Sequence, residues 1–205
     1  MTTALHSLRR FVRPRSAQER CALCSLELTA DHAHLVELAS RRLLCACDAC
    51  AILFSGEGAG KYRRVPRRNR LLPDFRLPDI VWQGLGLPIN LAFFLPDNKG
   101  RAVAFYPSPA GATEALVPAD AWQELVEDNP VLRDLEPDVE ALLVNRLGPV
   151  PEHFRVGIDE CYKLVGLIRT HWRGLSGGTV VREELSRFFA VLKGESPTTG
   201  GAVHA

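Results

Sequence analysis

Two pairs of cysteines are the chemically most informative residues in this sequence of 205 residues. Cys21 and Cys24 form one C-x2-C pair, Cys47 and Cys50 form a second, and 22 residues separate the pairs. A C-x2-C turn directs two thiolates at one ion, and two such pairs complete the tetrahedral sulfur shell that Zn²⁺ prefers. A closed shell of four sulfurs leaves no position for water, so the pattern predicts a structural zinc site.

Cys45, His32 and His34 lie between the two pairs and are further candidates for the site. Cys45 precedes Cys47 by two residues, which places both on one face of a strand. It can replace Cys47 as a ligand, lie beside the site, or fill a small core position. We prefer Cys47 as the ligand because it restores the C-x2-C spacing. His34 and His32 are candidates for additional ligands, although four thiolates already suffice.

Iron is the alternative metal, because the same four thiolates can hold it as in a rubredoxin. In a rubredoxin, glycine normally follows each pair and lets backbone N–H groups surround the sulfurs. Here Ser25 follows the first pair and Ala51 follows the second. The sequence therefore favours zinc, with a rubredoxin-like electron carrier as the alternative function.

Three local elements must bring the four thiolates together. The sequence predicts short strands at 34–38 and 41–45 and a helix beginning at Cys50. Free N–H groups and the helix dipole at a helix start favour thiolate charge. A turn, a hairpin and ligands at a helix start form the arrangement of a treble-clef zinc finger. We therefore expect a zinc module over 21–60, preceded by a basic arm at 1–20.

The remainder of the chain reads as an α+β body. A proline-containing basic connector at 61–78 leads to a body at 79–194, and the segment 195–205 has the composition of a disordered tail. The body's predicted elements are a short helix from Asp79, a β-hairpin (88–95 and 101–106), a loop (107–111), a helix (118–128), two paired strands (139–147 and 153–157), a long amphipathic helix (158–172) and a last helix (180–192). Periodicity does not separate strand from helix at 139–147, and we prefer a strand there.

The charge is distributed unevenly along the chain. Residues 1–76 carry 14 Lys and Arg against 7 Asp and Glu, whereas residues 77–205 carry 11 against 17. Neutralising phosphates is one use of such a basic segment, but few aromatic residues accompany it and the isoelectric point is only about 7.7. Contact with an acidic protein surface explains the basic segment equally well. The candidate basic surface comprises Arg63, Arg64, Arg67, Arg68 and Arg70.

No residues form a convincing catalytic constellation, so we expect a protein that is not an enzyme. The glycines at 56, 58 and 60 lack the spacing of a phosphate-binding loop. Cys161 and His171 lie about 15 Å apart along one predicted helix, too far for a nucleophile and its base. Cys161 also lies on the apolar face of that helix, which indicates core packing.

Composition and hydropathy are typical of a soluble globular protein. Hydrophobic residues make up 46% of the chain and charged residues 24%. The longest apolar runs, such as 91–95, are far shorter than the roughly 18 residues that a membrane span needs. No apolar stretch follows the paired Arg9 and Arg10, so we expect no export signal and a cytoplasmic location. Clustered cysteines in the cytoplasm indicate a metal site rather than disulfides.

Several stretches resemble a family of uncharacterised bacterial proteins encoded beside actinobacterial-type high-affinity nickel–iron hydrogenases. These stretches are CACDACAILF, LAFFL, YPSPAGATEAL, PDVEALLV and IDECYKLVGLIRTHWRGLSGG. The resemblance covers most of the chain and implies a role in hydrogenase assembly, maturation or electron transfer, with hydrogenase subunits or maturation factors as partners. It brings no catalytic residue. We therefore expect a non-enzymatic zinc-binding accessory protein, with a zinc-dependent nucleic-acid-binding protein as a further alternative.

Overall fold

The computed structural model describes residues 19–56, 60–108, 110–172 and 178–195. Most of the predicted basic arm and all of the predicted tail beyond Glu195 lie outside these residues. The chain divides into two compact units, Met1–Arg64 and Val65–Ala205. The division falls inside the predicted connector, which contributes a short strand to each unit. Proline punctuation in this segment obscured both strands.

The first unit contains a three-stranded antiparallel sheet and one helix. The strands are β1 (Ala33–Glu37), β2 (Arg42–Ala46) and β3 (Tyr62–Arg64), in the order β2-β1-β3. The predicted hairpin is confirmed as β1 and β2. Helix α1 (Asp48–Ser55) begins two residues earlier than expected, because Cys47 is its N-cap.

The core of the first unit is small and includes the cysteines. Leu35 and Leu44 face each other across the hairpin and are both buried. Around them lie short side chains and thiols: Cys21, Leu28, Ala33, Ala46, Cys47, Cys50 and Ala51. Three of the four cysteines of the two pairs therefore occupy core positions.

The second unit is built on a six-stranded antiparallel sheet with the order β4-β9-β8-β5-β6-β7. Its strands are β4 (Arg70–Leu71), β5 (Leu91–Pro96), β6 (Ala102–Ser108), β7 (Gly111–Leu116), β8 (Glu140–Asn145) and β9 (Glu152–Gly157). Its helices are α2 (Asp79–Gly84), α3 (Ala119–Asp128), a 3-10 helix (Pro130–Asp134), α4 (Ile158–His171) and α5 (Gly178–Glu195). Antiparallel sheets with separate helices confirm the α+β class.

The burial of the two central strands explains why one of them was difficult to predict from the sequence. β5 and β8 pair with each other and are buried along their whole length. A strand buried on both faces has no polar alternation, which is why the sequence did not separate strand from helix at 139–147. The predicted pairing of this strand with 153–157 is confirmed, with Glu140 opposite Gly157 and Asn145 opposite Glu152.

One segment differs from the prediction. The segment 107–111 was expected to be a loop, but β6 continues to Ser108 and pairs there with Gly111, where β7 begins. The connection is thus a tight hairpin turn, and its two prolines concealed the strand that follows. Among the described residues, no helix has both the length and the apolar character needed to cross a membrane.

Candidate metal centre

The structure brings the sulfurs of Cys21, Cys24, Cys47 and Cys50 within 4.8 Å of one another. The Sγ atoms of Cys24 and Cys47 are 3.7 Å apart. A tetrahedral zinc site with bonds of about 2.3 Å has sulfur–sulfur edges of about 3.8 Å. The two pairs therefore meet across the unit at a spacing that fits one ion.

The first pair lies in a tight turn stabilised by its own backbone. Cys21 donates its N–H to Leu26 O at 2.8 Å, and Ser25 donates its N–H to Cys21 O at 2.9 Å. Ser25 closes the turn with a φ of 64°. This left-handed conformation is the one that glycine adopts without strain. The turn therefore has the shape expected where glycine follows the cysteine pair, as in a rubredoxin, although serine occupies the position here.

The second pair lies at the start of helix α1. Cys47 caps the helix, and the backbone N–H of Cys50 points at Cys47 Sγ over 3.5 Å. The turn that contains the first pair is hydrogen-bonded to β2, the strand that precedes this helix, because Ala22 N–H donates to Cys45 O at 2.8 Å. Backbone hydrogen bonds thus fix the position of both pairs.

The surroundings of Cys21 and Cys50 shift their thiol pKa values in opposite directions. Burial raises the pKa of Cys21, but the backbone N–H groups of Cys47, Leu23 and Cys24 outweigh it and lower this pKa to about 6. Burial and the neighbouring cysteine sulfurs raise the pKa of Cys50 to about 12. One thiolate forms easily, and further thiolates beside it repel one another. A divalent cation removes that repulsion, so the donor set fits a thiophilic metal ion.

Cys45, His32 and His34 form a separate group. Their potential ligand atoms lie within 4.8 Å of one another, and Cys45 Sγ does not belong to the group of four sulfurs. From the sequence, these residues were candidates for extra ligands or for neighbours of the four-cysteine site. Their grouping with one another was missed, although the two-residue spacing of His32 and His34 at the start of β1 was a signal for it.

The predicted basic residues lie in different surroundings. Arg63 and Arg64 belong to β3 of the first unit, and Arg64 lies 3.6 Å from Asp48. In the second unit, Arg67 is exposed and Arg70 lies in β4. Arg68 forms ion pairs with Glu136 and Glu140, so these two carboxylates already neutralise its charge within the second unit.

A buried carboxylate in the second unit was not found from the sequence. Glu140 is fully buried in β8 and accepts hydrogen bonds from Arg155, Arg68 and the backbone N–H of Glu136. Burial raises the pKa of Glu140, but Arg155, the Glu136 N–H and Arg68 outweigh it and hold this pKa below its ordinary value. The network joins the start of the second unit to its central sheet.

Cys161 and His171 do not form a catalytic pair. Cys161 is fully buried in α4, and burial, with Asp159 and Glu160 nearby, raises its pKa well above the usual value. His171 lies ten residues further along the same helix, at its last residue. The sequence-based interpretation of Cys161 as a core residue is confirmed.

The second unit also contains an open pocket of about 700 Å³. Its apolar lining includes Trp172 and Phe189, and its polar lining includes Asn145 and Glu152. These two polar residues are hydrogen-bonded to each other at 2.9 Å. Among the described residues, the pocket lining holds no cysteine or histidine.

The comparisons place the chain in a family and do not give it an activity. No curated protein and no solved structure matches the chain. One family model matches residues 20–196, which include both cysteine pairs and nearly all of the second unit. The chain therefore belongs to DUF5947, a family of unknown function.

Proposed function

We propose that this protein is a non-enzymatic zinc-binding accessory protein whose first unit is a treble-clef module. The observation that carries the proposal is the meeting of four cysteine sulfurs from a tight turn and a helix start, within 4.8 Å of one another. Cys21, Cys24, Cys47 and Cys50 hold the ion. Bound zinc cross-links the two ends of the β1–β2 hairpin, which is a structural role.

The size of the first unit supports a structural role for the metal. Its described part has three strands of three to five residues and one helix of eight residues. Such a unit buries too little apolar surface to fold firmly by itself, and small domains of this kind usually depend on a metal. The free energy of zinc binding then becomes folding free energy.

An exposed apolar helix supports a docking role. In α1, Ile52 is 66% exposed, Leu53 is 73% exposed and Phe54 is 43% exposed. These three residues lie two to four positions after Cys50 in the same helix, so the metal site fixes the helix that presents them. Contiguous exposed apolar side chains mark surfaces that bind partners. The resemblance to proteins encoded beside nickel–iron hydrogenases supports hydrogenase subunits or maturation factors as that partner.

The iron alternative has one specific observation in its favour. Ser25 adopts the left-handed conformation that a glycine provides in rubredoxin turns. The absence of glycine after Cys24 therefore does not argue against iron as it did from the sequence alone. The second pair caps a helix instead of forming a second such turn, and this difference keeps zinc as the preferred metal.

Metal analysis of paired variants tests the proposal. The untagged protein is purified without oxygen, and its zinc and iron contents are measured beside those of Cys21→Ser. We expect the variant to lose one zinc per chain and the folded first unit. Cys161→Ser is the matched control, because Cys161 lies in the core of the second unit, and it should keep its metal. An unchanged metal content in Cys21→Ser contradicts the site, and one iron per chain supports the electron carrier.

Partner docking has a separate test. The double variant Ile52→Asp and Leu53→Asp should keep its metal, because neither side chain is buried. We expect it to lose co-purification with hydrogenase subunits in the native host, and Leu26→Asp serves as a control at another exposed apolar position. Retained co-purification contradicts docking through α1.

A further inference from the structure

His32, His34 and Cys45 lie on one face of the β1–β2 hairpin. In the strand register, His34 stands directly opposite Cys45. His32 precedes His34 by two residues, so the extended chain directs both rings to the same side. The two ring centroids are 4.8 Å apart, at an interplanar angle of 63°. Three side chains with metal-binding atoms thus converge from two adjacent strands.

The hydrogen bonding of His32 prepares it as a ligand. Its Nδ1 lies 2.9 Å from Thr29 O. A carbonyl oxygen can only accept, so Nδ1 carries the proton and Nε2 is left with a lone pair. Metal-binding histidines typically donate the other ring N–H to a carbonyl in this way.

The Nε2 atom of His32 faces a carboxylate but makes no hydrogen bond to it. It is buried and has no hydrogen-bond partner among the described residues. Oε2 of Glu19 lies 3.4 Å away. A lone pair and a carboxylate at this distance repel each other unless a proton or a metal cation lies between them. Leaving such a buried polar atom without a partner is unfavourable.

We propose that His32, His34 and Cys45 bind a second transition-metal ion of the zinc class, with Glu19 as the fourth ligand. Two imidazoles, one thiolate and one carboxylate form a donor set that suits Zn²⁺ and Co²⁺. The thiolate and the carboxylate together balance the charge of a divalent ion. This site is distinct from the four-sulfur site and goes beyond the function proposed above.

The second site differs from the first in accessibility. His34 and Cys45 are half-buried, and Glu19 is exposed. An exposed carboxylate exchanges readily with water or another ligand, so the fourth position can open. We therefore expect the second ion to bind more weakly and to exchange faster than the ion held by four thiolates.

Anaerobic titration of the full chain with Co²⁺ tests the second site. The wild-type protein should take up two equivalents, the first with an absorption spectrum of four thiolate ligands and the second with that of a mixed nitrogen and sulfur site. The double variant His32→Ala and His34→Ala should take up one equivalent and retain the four-thiolate spectrum. His171→Ala, which alters a histidine in the second unit, should take up two.

Two outcomes overturn the second site. One is a wild-type protein that binds one equivalent with only the four-thiolate spectrum. The other is a histidine double variant that still binds two equivalents. The retained four-thiolate spectrum also shows that the variant's first unit is folded. The histidine variant removes only the second site, because it keeps the four cysteines of the first. A wild-type protein with the four-thiolate spectrum and one equivalent overturns the second site alone, whereas a wild-type protein without that spectrum overturns the first, so the two failures are distinguishable.

Discussion

The backbone N–H of Cys50 donates to the Sγ of Cys47 at 3.5 Å, so a cysteine sulfur caps the first turn of helix α1. Cys47 is both the N-cap of this helix and one of the four clustered cysteines. The helix dipole and the free N–H groups at this end favour negative charge on sulfur. Binding of the proposed metal ion would therefore be coupled to helix formation at one residue.

That coupling predicts a local response to metal removal. Treatment with a strong chelator should unfold the first unit and leave the second folded, because metal binding supplies the folding energy of small sites. All three tryptophans, Trp82, Trp122 and Trp172, lie in the second unit. We expect protease cleavage within 19–64 to accelerate while tryptophan emission stays unchanged, and added zinc to restore protection. A large change in tryptophan emission contradicts this local response.

The turn at Ser25 predicts a stabilising substitution. Ser25 has a φ of 64°, a conformation that costs a side-chain-bearing residue about 1–2 kcal/mol and costs glycine little. Ser25→Gly should raise the free energy of unfolding of the first unit by about 1 kcal/mol. Denaturant titration of the Co²⁺-loaded protein, followed by the thiolate absorption band, measures it.

Ser40→Gly is the matched control for this prediction. Ser40 is exposed like Ser25, but it is not among the residues with positive φ, and its hydroxyl donates to Glu37. Glycine there should lower the free energy of unfolding, because it adds backbone entropy to the unfolded chain. The interpretation fails if the two variants shift in the same direction.

His153 predicts acid sensitivity of the second unit. Burial, assisted by the charge of Arg146, lowers the pKa of His153 from 6.5 to about 4. Its ring is stacked on Phe75, with centroids 4.7 Å apart. Between these two pKa values the unfolded chain binds a proton that the folded chain does not. The contribution, about 3 kcal/mol, is fully present above pH 6.5 and is lost as the pH falls through about 4.

Urea unfolding followed by tryptophan emission measures this pH dependence. The variant His153→Gln keeps a polar side chain that does not titrate, so its stability should fall less over the same pH range. Glu140 adds acid sensitivity in both proteins, because its pKa is lowered in the folded state. The difference between the two profiles isolates His153, and identical profiles contradict the assignment.

The buried network at Glu140 predicts an unequal effect of two glutamate substitutions. Glu140→Gln leaves Arg155, which is largely buried, without its full ionic partner, and removing one member of a buried pair costs about 3–5 kcal/mol. Glu136→Gln removes a half-exposed partner of Arg68, a change worth less than about 1 kcal/mol. Thermal unfolding should separate the variants clearly, and equal melting temperatures contradict the proposed network.

Local patterns in the sequence determined much of this fold and of the metal site. The C-x2-C spacing predicted which four cysteines come together, and the residues between them predicted the β1–β2 hairpin. The three- and four-residue spacing of apolar residues from Ile158 predicted helix α4. In each case the signal comes from residues within one or two turns of each other, so backbone geometry alone carries it.

Only the tertiary structure decided how the residues outside the two cysteine pairs are grouped. It grouped Cys45 with His32 and His34 apart from the four sulfurs, and it paired Arg68 with Glu140, 72 residues away. It also showed Ser25 in a conformation that its residue type does not indicate. The physical reason is that strand register, burial and long-range pairing arise from contacts between distant segments, and no local spacing encodes them.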